Sequence, residues 1–392
     1  MATTHELQCI PGLARLYLAF DLGWTEWMLA FTIGHGQAPR LRTIRARDLE
    51  ALQREIGRAR ERFALSADAS VVSCYEAGRD GFWLHRWLGA NGIDNRVVDS
   101  SPIEVNRRSR RAKSDRLDAG KLVTMLLRYH AGETRLWSVC RIPDAADEDR
   151  RRLHRELIEL KDERTRHINR LKGLLANQGI GLASVDGAFP EQLKEARMWD
   201  GSELGADLQG QLLREHDRWQ FVDRQVRGLE GERNKRIRRD DTPQVEQVRR
   251  LLELLGVGLN GAWLLVYELF GWRRFRNRKE LGAAVGLTPT AYQSGSSSHE
   301  QGISKAGNRR LRRLLVELAW CWLRWQPTSA LSLWYQRRFG EGQRARKVGI
   351  VALARKLLIA LWRWLEHGEV PEGARLCPWR PKVNGVRKVA AV

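Results

Sequence analysis

Cysteine is scarce in this chain, and the few residues present are scattered. Cys9, Cys74, Cys140, Cys321 and Cys377 are odd in number and show no paired spacing. That excludes a zinc site built on close cysteine pairs as well as a disulfide framework, and fits a reducing cytoplasm. A run of about 18 uncharged apolar residues, the minimum for a membrane helix, is also missing. The amino terminus carries no signal-peptide pattern, so a cytoplasmic protein with no membrane partner is expected. Negative charge is in deficit too: 47 acidic residues stand against 68 Lys plus Arg, a net charge of +21 over 392 residues. The simplest partner for such an excess is a polyanion, DNA or RNA. With 43% hydrophobic residues the chain can bury a core, and its length allows two or three domains.

The first segment reads as α/β. Apolar runs at Leu16–Phe20, Trp27–Thr32, Val71–Tyr75 and Val97–Val98 are strand candidates. Between them, Leu49, Leu52, Ile56 and Ala59 recur at helical spacing, and further helices are expected through residues 82–88 and from about Ser114. Alternating strands and helices predict a layered sheet with helical cover. A heptad seam follows at Leu153, Leu157, Leu160, Arg164, His167, Leu171 and Leu174. A second occupies Leu208, Leu212, Glu215, Trp219, Val222, Val226 and Leu229. Together they predict an antiparallel helical hairpin or coiled coil, polar at Arg164, His167 and Glu215. Beyond Val248 the chain turns helical again, with Gly256-Val257-Gly258 placed as in a helix-hairpin-helix element whose backbone N–H groups can meet a phosphate. Residues Gly286–Gly307 read as a Gly- and Ser-rich loop before a basic helix from Asn308. A tail helix is expected near Val348–Leu365, carrying Trp362 and Trp364, with irregular chain after Pro371. Trp320, Trp322 and Trp325 share one helix, where packing is the expected role of aromatic area.

Four carboxylates carry candidate chemistry. Asp21 and Glu76 each sit where an apolar strand gives way to a Gly-containing turn, the place where ligands gather in α/β sheets. Asp115 and Asp118 are three apart on an expected helix and share a face. Clustered carboxylates invite a hard divalent ion, and Mg²⁺ (or Mn²⁺) there suits phosphoryl transfer. Each acid taken alone reads first as a turn or helix cap, and the basic residues around the pair raise the metal reading. Arg107, Arg108, Arg110, Arg111, Lys113 and Arg116 crowd the same stretch, either gripping phosphates or forming a solvated basic face. Farther on, Ser294 lies in Tyr292-Gln293-Ser294-Gly295-Ser296-Ser297-Ser298, followed by Lys305 and by Arg309, Arg310, Arg312 and Arg313. Composition alone favours a flexible linker there, but the preceding aromatic, the glycines and the phosphate-clamping arginines argue for a hydroxyl acting as a covalent nucleophile.

The order Asp21, Glu76, Lys113-Ser114-Asp115-Arg116-Leu117-Asp118-Ala119, Tyr292-Gln293-Ser294-Gly295-Ser296-Ser297 and Ile303-Ser304-Lys305-Ala306-Gly307-Asn308 resembles the insertion-sequence 110 family of transposases, relatives of the Piv invertase. The likeness runs from about residue 15 to about residue 365. It implies a RuvC-like domain of RNase H fold over 1–135 and a coiled-coil dimerisation region over 136–247. A mostly α C-terminal transposase domain follows over 248–370, then an irregular tail over 371–392. Asp21, Glu76, Asp115 and Asp118 would be a metal-binding DEDD set, and Ser294 the residue that forms a phosphoserine link to DNA. Donor and target DNA, an element-encoded guide RNA and a homo-oligomer (a dimer, four subunits in the synaptic assembly) are the implied partners. One subunit's acids would serve another's serine, at the nucleoid. The resemblance departs where Leu22-Gly23-Trp24 follows Asp21 with no lysine nearby. Two rival readings share these residues: a metal-dependent junction resolvase or nuclease using water, and a non-catalytic architectural nucleic-acid-binding protein.

Overall fold

The computed structural model describes residues 15–99, 115–134, 136–294 and 297–379. These divide into two compact units on either side of the Ile142–Pro143 bond. The first unit is a mixed sheet, β1 (Leu16–Leu22), β2 (Glu26–Thr32), β3 (Arg40–Arg45), β4 (Val71–Glu76), β5 (Asp94–Asp99) and β6 (Ser138–Val139), in the order β3-β2-β1-β4-β5-β6. Strands β1, β4 and β5 run parallel, and β2, β3 and β6 pair antiparallel to their neighbours. Helices α1 (Leu49–Arg62), α2 (Trp83–Ala90) and α3 (Asp115–His130) supply the cover.

Alternation along the strands separates two faces. Leu16, Leu18 and Phe20 pack with Leu52 and Ile56 of α1 and with Leu84 and Leu88 of α2. On the opposite face Ala19, Ala30 and Cys74 meet Ala119, Leu122 and Leu126 of α3. Small side chains on that face let the helix lie close, and the Cys74 thiol reaches the Leu122 carbonyl at 3.7 Å. Helix α1 starts where Asp48 accepts a hydrogen bond from the Ala51 N–H at 2.8 Å, and its apolar positions are those the sequence spacing picked out. Strands β3 and β6 have no counterpart in the sequence reading. The first is mostly polar and exposed, and the second is only two residues long.

The second unit begins with α4 (Ala145–Arg150), α5 (Arg152–Ala176), α6 (Phe189–Glu195) and α7 (Ala206–Arg239). Lys161 pairs with Glu230 at 2.6 Å, Arg164 with Asp223 at 2.8 Å and His167 with Glu215 at 2.7 Å, so α5 and α7 run antiparallel. Of the polar seam positions, His167 and Glu215 thus face one another across the pair, while Arg164 meets Asp223 beside the second seam. Leu157, Val222 and Val226 form one apolar stretch of the seam. Leu171 and Leu212 form another, capped by Phe189 and Leu193 of α6.

Helices α8 (Pro243–Leu252) and α9 (Leu259–Leu265) follow, then a π-helical turn over Val266–Phe270 and α10 (Arg278–Ala284). Gly256 between α8 and α9 has φ +95°, and an added Cβ would lie 3.1 Å from the Trp325 Cβ. The Leu255 and Val257 N–H groups already donate to Arg375 and Leu254 carbonyls, so two of the loop's donors are spent inside the fold. Where a loop was expected, β7 (Pro289–Ser294) and β8 (Ser297–Ile303) form an antiparallel ribbon. Serine and glycine composition concealed it, but Thr290 and Tyr292 are competent strand formers. Helices α11 (Arg309–Trp325), α12 (Ala330–Phe339) and α13 (Gln343–His367) close the unit around Trp263, Leu311, Leu315, Trp322, Leu353 and Leu357. Residues 371–377 have no helix but are well tied. Gln326, wholly buried, donates to the Leu255 and Arg375 carbonyls and accepts from the Arg375 N–H at 2.7 Å.

Candidate functional site

Asp21 and Glu76 stand one position beyond the last registered pair of β1 and β4, Phe20 with Tyr75. Alternation turns both toward the face that α3 covers, because Ala19 and Cys74, two residues earlier, pack there. Both line a cavity of about 250 Å³ whose far wall is the turn Ala77–Gly81. The parallel pairing of two strands therefore brings together two acids 55 residues apart in sequence.

Helix α3 runs against the direction of β1. Its last residue, His130, lies edge-on to Tyr17 near the start of β1, with ring centroids 5.7 Å apart, while Leu122 sits at Cys74. Asp118 is one helical turn before Leu122, about 6 Å along the axis. Glu76 is two residues past Cys74, about 6.6 Å along its strand. Asp118 thus reaches the level of the strand ends, half-buried, with Lys121 at 3.8 Å. Asp115 opens the same helix three residues earlier. Among the described residues no group of three metal-ligating side chains is assembled. Arg107, Arg108, Arg110, Arg111 and Lys113 lie outside the described residues.

Ser294 ends β7 and pairs with Ser297 across the ribbon. The base of the ribbon is closed by hydrogen bonds from Ser304 N to Thr288 O (2.9 Å) and from Lys305 N to Gly286 O (3.2 Å). Gly286 and Gly307 are both in the left-handed region, and a Cβ at either would press on a carbonyl oxygen, of Ala306 and Ala284 respectively. Asn308 caps α11 by accepting from the Arg310 and Leu311 N–H groups.

The basic residues expected to grip DNA divide by environment. The Arg312 guanidinium donates to the Val285 and Ala306 carbonyls and so holds the ribbon's base. Arg310 pairs with Glu159 of α5 at 3.1 Å and Arg313 with Glu317 at 3.1 Å. Lys305 and Arg309 are exposed. Of the tryptophans, Trp322 is buried and bonds Ser329 Oγ at 2.9 Å, whereas Trp320 and Trp325 are exposed. Sequence reading overlooked Glu268 of the π-helical turn. Buried, it takes both arms of Arg155 at 2.6 and 2.8 Å and lies 3.5 Å from the Asn308 amide, joining α5 to the start of α11. It also overlooked Arg47, Arg79 and Asp80 beside the acid pocket. The close run Gly78-Arg79-Asp80-Gly81 after Glu76 was the available signal.

Residues 248–333, from α8 through the ribbon to α12, match the model of the transposase IS116/IS110/IS902 family. A protein of Sinorhizobium fredii named "Putative transposase y4rJ" is 40% identical over 377 residues, covering 92% of this chain and 94% of that protein. The transposase for insertion sequence element IS1328 of Yersinia enterocolitica is 31% identical over 56% of this chain and 63% of its own. The transposase for IS1111A of Coxiella burnetii is 27% identical over 78% and 80% respectively. The chain belongs to the IS116/IS110/IS902 transposase family.

Proposed function

We propose that the chain is a DNA transposase that breaks and rejoins strands through a serine–DNA link, with Mg²⁺ or Mn²⁺ at Asp21, Glu76, Asp115 and Asp118. The observation that carries this reading is the shared cavity of Asp21 and Glu76 at adjacent strand ends, with Asp118 carried to the same level by α3. All-oxygen donors at such a point suit a hard divalent ion. Bound there, the ion would neutralise charge on a phosphodiester and lower the barrier to displacement. The strand order β3-β2-β1-β4-β5 supports an RNase H-like, RuvC-like reading of the first unit.

The chain's own residues do the rest. Ser294 Oγ forms a bond to phosphorus as the bond from phosphorus to a deoxyribose oxygen breaks, and the hydroxyl proton ends on the departing oxygen. The phosphoserine conserves the diester's free energy, so the hydroxyl of a second strand can displace serine in the reverse sense without ATP. Arg309 and Lys305, both exposed, meet backbone phosphates. Pairing with an element-encoded guide RNA supplies sequence reading, which leaves the protein mainly shape and phosphate contacts. The α5–α7 pair would serve as a dimerisation arm, and subunits in the synaptic assembly would exchange acids and serines.

Incubating the full chain with its element's DNA, flanking transcript and Mg²⁺, then denaturing, tests the proposal. A covalent protein–DNA adduct that is lost in Ser294→Ala and in Asp21→Asn is expected. Cutting that persists without an adduct in Ser294→Ala would instead identify a water-using nuclease. Inertness of the wild type with its RNA and metal would favour an architectural protein.

A further inference from the structure

At the rim of the acid pocket, an exposed indole and two guanidiniums are assembled at evident cost. Gly23 makes the β1–β2 turn tight, since a Cβ there would lie 2.3 Å from the Glu26 carbonyl oxygen. The next residue, Trp24, is 63% exposed. The guanidinium carbons of Arg47 and Arg79 stand 4.8 and 5.0 Å from its ring centroid. Asp80, whose side chain is 6% exposed, holds Arg47 at 3.1 Å and Arg79 at 3.8 Å. Arg47 also donates to the Trp24 carbonyl at 3.3 Å. Its backbone sits at φ +67°, in the left-handed region, which costs a non-glycine residue about 1 kcal/mol. The cluster thus keeps a left-handed backbone residue and leaves an indole in water beside the acids.

We propose that Trp24, Arg47 and Arg79 are positioning residues that grip the DNA strand entering the acid pocket, the guanidiniums on a phosphate and the indole on a neighbouring nucleobase or sugar. Arg79 and Asp80 line the same cavity as Asp21 and Glu76, so a phosphate held at the rim flanks the one delivered to the acids. Each guanidinium has five donors in a planar fork. Asp80 and Trp24 fix the forks' orientation, yet the two side chains remain 43% and 53% exposed and so keep donors facing outward. Two cations against one carboxylate leave the cluster positive. Exposed indole surface is what base stacking uses. The inference rests on the strand-transfer reading of the acid pocket and adds the residues that hold the strand there.

Binding of labelled single-stranded DNA to the full chain, measured across a KCl series, tests it. Losing two phosphate contacts in the Arg47→Gln/Arg79→Gln variant should reduce the slope of log affinity against log salt by about 1.4. Arg47→Lys/Arg79→Lys should keep that slope. Trp24→Ala should weaken binding about fivefold or more at every salt concentration, with Trp24→Phe restoring most of it. Asp80→Asn discriminates by sign. Bulk electrostatics predicts tighter binding on loss of a negative charge, whereas loss of fork orientation predicts weaker binding. Wild-type DNA carrying 5-iodouracil should photocrosslink to the peptide containing Trp24, a readout that needs no variant to fold. If the wild type binds DNA steeply while the Arg-deleted variant traces the same line, or if crosslinks form only elsewhere, this inference falls and the strand-transfer reading stands. If the wild type shows no salt-dependent DNA binding, the reading beneath it fails. Variants that change RNA binding but leave DNA binding intact overturn the assignment to DNA.

Discussion

His167 Nδ1 lies 2.7 Å from Glu215 Oε1 in the interior of the α5–α7 pair, and Arg170 and Arg218 reach the same carboxylate at 2.9 Å each. Burial pushes the Glu215 carboxyl up, but hydrogen bonds from His167, Arg218 and Arg170 outweigh it and hold it below its usual value of 4.5. A depressed folded-state value contributes stability that is complete above about pH 4.5 and lost as pH falls through the folded value. Glu215→Ala should lower stability by about 1–3 kcal/mol at neutral pH, since it removes the acceptor shared by His167, Arg170 and Arg218. Urea unfolding at pH 7 and pH 4 checks this. The difference between variant and wild type should shrink at the lower pH.

His154, also between α5 and α7, behaves in the opposite chemical sense. Burial first, and then the nearby charges of Arg233, Lys161 and Arg310, hold its imidazole down at about 3. The unfolded chain takes up that proton near pH 6.5 while the folded one does not, so stability falls as pH drops from 6.5 toward 3. The slope is up to about 1.4 kcal/mol per pH unit from this residue. His154→Leu should flatten that part of the pH–stability curve, read by thermal melting between pH 7 and pH 4.

Gly286→Ala and Gly307→Ala should each unseat the base of the serine ribbon. At Gly286 the new Cβ would fall 1.9 Å from the Ala306 carbonyl oxygen, and at Gly307 it would fall 2.4 Å from that of Ala284. Left-handed backbone alone adds about 1 kcal/mol. Hydrogen exchange across residues 286–307 should accelerate in both variants while α5 and α7 keep their protection.

Gln326 is the peg for residues 371–377. Gln326→Leu removes the donor to the Leu255 carbonyl and the acceptor of the Arg375 N–H, a cost of about 1–3 kcal/mol, while the Arg375 carbonyl keeps the Leu255 N–H. Limited proteolysis should then cut after Pro371 well before the helical body is attacked.

Mg²⁺ should raise the melting temperature of the wild type, because a ligand that binds only the folded state stabilises it. Asp21→Asn and Glu76→Gln should each abolish that rise. Ser294→Ala should retain it.

Much of this architecture was legible in the sequence where apolar periodicity was strong. The strands at Leu16 and Val71, the helix carrying Leu52 and Ile56 and both heptad seams fall where spacing predicted. The polar entries of the seams take partners across the pair, His167 with Glu215 and Arg164 with Asp223. Legibility failed where composition misled. The ribbon holding Ser294 reads as linker because its stability comes from cross-strand pairing and from closure at Gly286 and Gly307, neither of which a local window contains. Arg312 reads as a phosphate clamp, yet its partners are backbone carbonyls with no sequence signature. The adjacency of Asp21 and Glu76 depends on β4 lying beside β1, a choice made by packing. Arg47 joins them only through a buried carboxylate on another loop.

Because α3 touches the sheet at Leu122 and again at His130, its rotational phase is set by these two contacts. A single residue inserted between Asp118 and Leu122 would swing that carboxylate about 100° around the helix while leaving every strand in place. Four inserted residues would restore its heading but lift it one pitch beyond the strand ends. The number of residues between Leu122 and Asp118 therefore decides where that carboxylate stands relative to the strand ends, whatever the outer face of the helix carries.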